Sequence, residues 1–111
     1  MINMITGEEA RNNVKEHDSC AVLHLDSDNK DINAGRIYKL ADEAIRQVSS
    51  DGLSRVEIIM DSEKPFEDIL DIREMISVFE THGYIAIFRR EREEISQGVV
   101  VKYVWSIKIV W

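Results

Sequence analysis

VVVKYVWSIKIVW, Val99 to Trp111, alternates over its whole length. Val99, Val101, Tyr103, Trp105, Ile107, Ile109 and Trp111 share one parity, and Val100, Lys102, Val104, Ser106, Lys108 and Val110 share the other. Side chains of a strand point to opposite faces with period 2, so this stretch reads as a long β-strand whose odd face must be buried. Working upstream, Tyr84 to Arg90 (YIAIFRR) is a second strand, and the polar residues between Glu91 and Gly98 carry the chain outward and back. Together they predict a C-terminal β-hairpin with a polar tip.

The segments before the hairpin supply its cover. Phe66, Ile69, Leu70, Ile72, Met75, Ile76 and Phe79 recur at helical spacing after Pro65, which suits a first helical position, and the run stops at His82-Gly83. Arg55 to Met60 (RVEIIM) reads as a strand buried on nearly both faces. Ile37, Leu40, Ala41, Ala44, Ile45 and Val48 form another helix, capped by Asp31 or Asn33 and ended by Ser49-Ser-Asp-Gly52. Ser19 to Leu25 alternates as a strand, with a helical continuation as the alternative, and Thr6-Gly-Glu-Glu9 opens a weak helix running to about His17. The order α-β-α-β-α-β-β predicts an α+β fold. The expected architecture is a two-layer sandwich whose mixed four-stranded sheet ends in a long antiparallel hairpin, with the helices mainly on one face.

The 111 residues suffice for a single domain, 1–111, with its own core. A hydrophobic share of 44% with one proline excludes disorder and fibrous repeats. One cysteine, Cys20, excludes an internal disulfide and fits a reducing compartment. The first residues do not form a secretory signal and no apolar run approaches a membrane span, so the chain reads as soluble and cytoplasmic. A net charge of −7 argues against nucleic acid or an anionic membrane as partner. That charge is segregated: residues 84–111 hold five bases and three acids, net +2, which leaves net −9 on residues 1–83.

Chemistry-bearing residues are densest at His17, Cys20, His24, Asp26 and Asp28. On a strand continued to Asp28, Cys20, Val22, His24, Asp26 and Asp28 share a face, which sets an imidazole beside carboxylates at i, i+2 spacing; with His17 just upstream, His17, His24, Asp26 and Asp28 are the metal candidates. The stronger reading takes the same residues as turn and cap residues beside a small buried thiol. DSDNKD (Asp26–Asp31) fails as a calcium loop, because Lys30, Asp31 and Ile37 occupy the positions of the third acidic ligand, the turn glycine and the bidentate Glu. Cys20 or Ser19 beside a histidine makes only a paper nucleophile, and the five scattered glycines form no phosphate or oxyanion loop. These residues imply no enzyme and no cofactor.

The last strand is the stronger pointer. Thirteen residues span roughly 43 Å, whereas helices of about fifteen to twenty residues cover only about 23 to 30 Å. Either part of its apolar face, at Ile109 and Trp111 or at the end near Val99, outruns the helices as a pairing surface, or a bulge divides it. Arg89, Arg90, Arg92, Lys102 and Lys108 lie on the same hairpin, and with Ile109 and Trp111 they are the candidate partner-binding residues. Lys102 and Lys108 take the parity opposite to Tyr103 and Trp105, so they do not form a stacking platform for nucleic acid.

Thr6-Gly-Glu-Glu-Ala-Arg11, the helix end Ser50-Asp-Gly-Leu53, His82-Gly-Tyr84 and the terminal Ile109-Val-Trp111 follow one another in a pattern that resembles small accessory proteins of tailed bacteriophages. Ser19 to Leu25 departs from that pattern. The resemblance implies a binding protein that modulates or inhibits a host or phage macromolecule, anti-defence roles included, in the host cytoplasm. Homodimerisation through the hairpin is a second expectation. A third is a DNA mimic presenting Asp42, Glu43, Glu67, Asp68, Asp71 and Glu74 to a basic protein, and a fourth is a metal- or nucleotide-binding site on His17–Asp28.

Overall fold

The computed structural model describes residues 4–12, 20–25 and 33–111. Its elements are α1 (Gly7–Arg11), β1 (Ala21–Leu25), α2 (Ala34–Ser50), β2 (Arg55–Ser62), α3 (Phe66–Ile69), α4 (Ile72–Thr81), β3 (Ile85–Ser96) and β4 (Val99–Val110). The sheet order is β1-β2-β4-β3, with β1 parallel to β2 and the other two pairings antiparallel. The expected α+β fold with a mixed four-stranded sheet and a C-terminal hairpin is the fold observed.

A single core lies between the sheet and the helices. Ile37, Ala41, Ile45, Phe66, Met75 and Phe79 from the helices meet Val56, Ile58, Met60, Trp105, Ile107 and Ile109 from the sheet, all buried. The odd parity of β4 therefore faces the helices over its C-terminal half. Asn33 caps α2 by accepting from the Arg36 amide at 3.0 Å, and Thr6 caps α1 through the Glu9 amide at 3.3 Å.

Two elements differ from the sequence reading, each for a local reason. The helix expected from Pro65 to His82 is two helices. Leu70 adopts extended backbone (φ −134°, ψ 142°), and Asp71 starts α4 by accepting from the Glu74 amide at 3.1 Å. Pro65 consequently sits at the cap position of α3 instead of inside it. The loop expected at Glu91–Gly98 is mostly strand, because β3 runs through the charged residues to Ser96 and turns on two residues, Gln97 (φ 52°) and Gly98 (φ 77°). Positive φ at both central positions is the signature of a type I′ turn, whose twist matches that of the flanking strands. The first helix runs from Gly7 to Arg11 with Asn12 at its C-cap, and the rest of the helix expected to about His17 lies outside the described residues.

The N-terminal segment is held to the body by short polar contacts. Ile5 donates its amide to Asp42 Oδ1 at 2.8 Å and accepts from the Tyr84 hydroxyl, while the Gly7 amide donates to the His82 carbonyl at 2.7 Å. Gly7 lies so close to the turn after α4 that a Cβ there would stand 2.1 Å from the Gly83 oxygen. Only glycine permits that approach.

Candidate functional site: the hairpin arm

β4 is flanked on both sides over only part of its length. Residues Tyr103 to Val110 pair with β2 and β3 together, whereas beyond the last β2 pair, Ser62 with Tyr103, the sheet narrows to β3 and β4 alone. This two-stranded arm, residues 94–102, reaches about 13 Å past β2 at 3.3 Å per residue. It lengthens a molecule whose principal extents are 49, 30 and 22 Å. Ile95, Val99 and Val101 on it are 66%, 63% and 47% exposed.

Two register irregularities shape the hairpin without dividing it. Arg90 faces Trp105 and Arg92 faces Val104, so Glu91 is an extra residue on β3. Glu94 faces Lys102 and Ile95 faces Val100, so Val101 is an extra residue on β4. Bulges of this kind bend the ladder and re-aim side chains while the pairing continues on either side. The bulge envisaged from the sequence is therefore present, but it does not bring both halves of the strand under cover.

The candidate partner-binding residues divide into distinct environments. Ile109 and Trp111 are corrected to core residues: Ile109 is fully buried, and Trp111 packs edge-on against Tyr84 with ring centroids 6.2 Å apart. β2 and the helices cover the C-terminal half of β4, so the surplus length is all at the Val99 end. Arg90 lies 5.4 Å above the Trp105 ring and pairs with Glu67 at 3.0 Å. A base and an aromatic thus do stack on the hairpin, but Trp105 is buried and its face is occupied. Lys102 approaches Asp61 at 3.4 Å, and Lys108 faces Glu57 and Ile87 across the sheet. Arg92 pairs with Glu94 at 3.7 Å, and Arg89, facing Ser106, is exposed. The Ser106 hydroxyl donates to Glu91 at 2.6 Å.

The sheet face away from the helices holds a second apolar group that sequence reasoning passed over. Val22, Ile85 and Ile87 are 59%, 63% and 46% exposed and lie on the parity of Glu57 and Lys108. The alternation of Ile85, Ala86 and Ile87 carried the signal, since burying Ala86 turns both isoleucines outward.

Of the metal candidates, His17, Asp26 and Asp28 lie outside the described residues. His24 is exposed on the open face opposite Ile59. No group of three His, Cys, Asp or Glu side chains able to hold a metal occurs among the described residues. Burial pushes the Cys20 thiol above its ordinary range, against the opposing pull of Lys108 and Arg55. The thiol therefore stays protonated near neutral pH, the unreactive form.

The acids proposed for mimicry are partly committed to structure. Asp42 holds Ile5 and Arg46, Asp71 caps α4 and Glu67 holds Arg90. An open depression of about 510 Å³ lined by residues 67–72 lies at the α3–α4 break, rimmed by three of these or neighbouring carboxylates. No described helix is long and apolar enough to cross a membrane. No protein-family model, curated protein or solved structure matches the chain.

Proposed function

We propose that this chain is a non-enzymatic binding protein that acts by laying its hairpin arm on the surface of a macromolecular partner. The observation that carries this reading is the exposure of Ile95, Val99 and Val101 on a ribbon that has left the core. Apolar side chains gain most from leaving water, and among the described residues nothing covers these three. The same logic fits a small cytoplasmic accessory protein of the phage type, which modulates a host or phage protein by occupation and not by turnover. Mimicry of DNA is less favoured, because Asp42 tethers Ile5 and Asp71 caps α4, while Glu67 is taken up by a surface pair with Arg90.

The test compares wild type with Val99→Asp/Val101→Asp as baits in a bacterial lysate, with both proteins shown to be folded by circular dichroism. We expect a protein retained by wild type at low and high salt and lost from the double variant. Indistinguishable retention by the two baits overturns the reading, and retention by both that vanishes with salt supports the acidic mimic instead.

A further inference from the structure

β3 is an edge strand, and its outer edge carries Arg89-Arg-Glu-Arg-Glu-Glu94 in a row. Charges on an edge commonly serve to repel a second copy, and one sign does this best. Here the order of signs is its own complement when read backwards. With the bulged Glu91 left out, the run set antiparallel to itself brings Arg89 opposite Glu94, Arg90 opposite Glu93 and Arg92 opposite its own copy.

The bulge makes that pairing geometrically possible. A two-fold axis perpendicular to a sheet joins only residues on the same face, and without a bulge positions 89 and 94, or 90 and 93, would lie on opposite faces. Glu91 is the extra residue. Arg89, Arg92 and Glu94 therefore share the face of Ser106, Val104 and Lys102, while Arg90 and Glu93 share the face of Trp105 and Tyr103. With the axis at Arg92, both opposed pairs fall on common faces.

We infer that the β3 edge docks a second copy of this chain, antiparallel and centred on Arg92, joining two sheets into one of eight strands. Each protomer's arm then lies along the other's body. Ile95, exposed in the single chain, comes beside the half-buried Phe88 of the second copy, and Ser96 comes opposite Ile87. Arg89–Glu94 and Arg90–Glu93 occur twice by symmetry. Arg90 keeps Glu67 and Trp105 on its inner side, and Arg92 meets its own copy at the axis with Glu94 close by.

Neighbouring symmetric registers are worse. Each symmetric register sets one charge against itself; centring on Arg90 adds Arg89 against Arg92, and centring on Glu93 keeps only the Arg92–Glu94 pair and leaves Arg89 opposite Ser96, whereas centring on Arg92 gives two attractive pairs, each made twice. Backbone hydrogen bonds at the edge are indifferent to register, so the charges select it.

The proposal rests on the reading of the arm as a contact surface, but it is measured on purified protein with no other macromolecule present. Light scattering and sedimentation are recorded up to about 1 mM, which reaches the weak end of specific association. Wild type is expected to dimerise, and to do so less well as salt rises from about 0.01 to about 1 M, where the Debye length falls from about 30 to about 3 Å. Arg89→Glu/Arg90→Glu and Glu93→Arg/Glu94→Arg should each weaken self-association at least about tenfold, since every opposed pair becomes repulsive. Mixed in equal amounts, they should form a heterodimer.

In a Cys20→Ser background, mild oxidation should cross-link Arg92→Cys across the axis but leave Lys39→Cys on α2 monomeric. This second readout stands even if a charge-reversed variant folds poorly. A wild type that stays monomeric at about 1 mM, a dimer untouched by both reversals, or a mixture that does not restore association overturns the proposed interface. A monomer that still loses its lysate partner on Val99→Asp/Val101→Asp overturns the dimer alone, whereas a dimer with no such partner overturns only the functional reading.

Discussion

Tyr84 shows how one side chain ties the N-terminal segment to both layers. Its ring is buried against Trp111 and its hydroxyl donates to the Ile5 carbonyl. Burial first, and then the carboxylates of Asp42 and Glu9, hold the phenol far above its ordinary range. The folded state therefore keeps the proton when the unfolded chain releases it. Stability from this group is complete below an unfolded pKa of about 10 and declines above it, by up to about 1.4 kcal/mol per pH unit.

Tyr84→Phe should cost about 1 kcal/mol near neutral pH, because the Ile5 carbonyl loses its donor. It should also flatten the alkaline decline. Denaturant unfolding at about pH 8 and about pH 11 checks this, and an equal decline in both proteins would sink it. Tyr38 and Cys20 are shifted in the same direction but remain in both proteins, so the difference isolates Tyr84.

Elements were legible in the sequence where local signals and tertiary demands agreed. α2 has both an Asn33 cap and an unbroken apolar stripe, and β4 has strict alternation. The break between α3 and α4 was hidden because Phe66, Ile69, Leu70 and Ile72 keep helical spacing across it. The cap at Asp71 and the extended Leu70 decide the matter. β3 beyond Arg90 was hidden for the opposite reason: its composition reads as a loop, and only pairing to β4 makes it a strand.

The site was half legible. The excess length of β4 follows from counting residues, but which end protrudes depends on where β2 lies, a non-local fact. Of the two ends left open by the count, Ile109 and Trp111 are core and the end near Val99 is the one that protrudes. Docking of α1 likewise turns on a non-local contact, the approach of Gly7 to Gly83, where a Cβ would be 2.1 Å from oxygen. Gly7→Ala should lower stability by about 1 to 3 kcal/mol, as overpacking does. An unchanged denaturation midpoint would show that α1 docks elsewhere.

At the scale of the whole molecule, charge and shape are distributed unevenly. Residues 1–83 carry net −9 and fill the helical layer and two strands, whereas the hairpin region, net +2, holds the exposed apolar residues Ile95, Val99 and Val101. The molecule therefore combines an acidic body with a hairpin region of opposite net charge whose protruding arm, residues 94–102, is itself neutral and apolar, an arrangement that favours association along the hairpin and repels approach by the body.

The narrowing of the sheet at Tyr103 also divides β4 in time. From Tyr103 to Val110 the strand is flanked on both sides over a packed core, whereas residues 99–102 pair with β3 alone, with Val99 and Val101 exposed and Val100 and Lys102 half-buried. A lone two-stranded ribbon is marginally stable in water. Amide hydrogen exchange should therefore find residues 94–102 opening locally, while Ile107 and Ile109 exchange only through global unfolding. Uniform protection along β4 would contradict this. One continuous strand thus has two lifetimes, and the short-lived half is the part a partner would have to hold still.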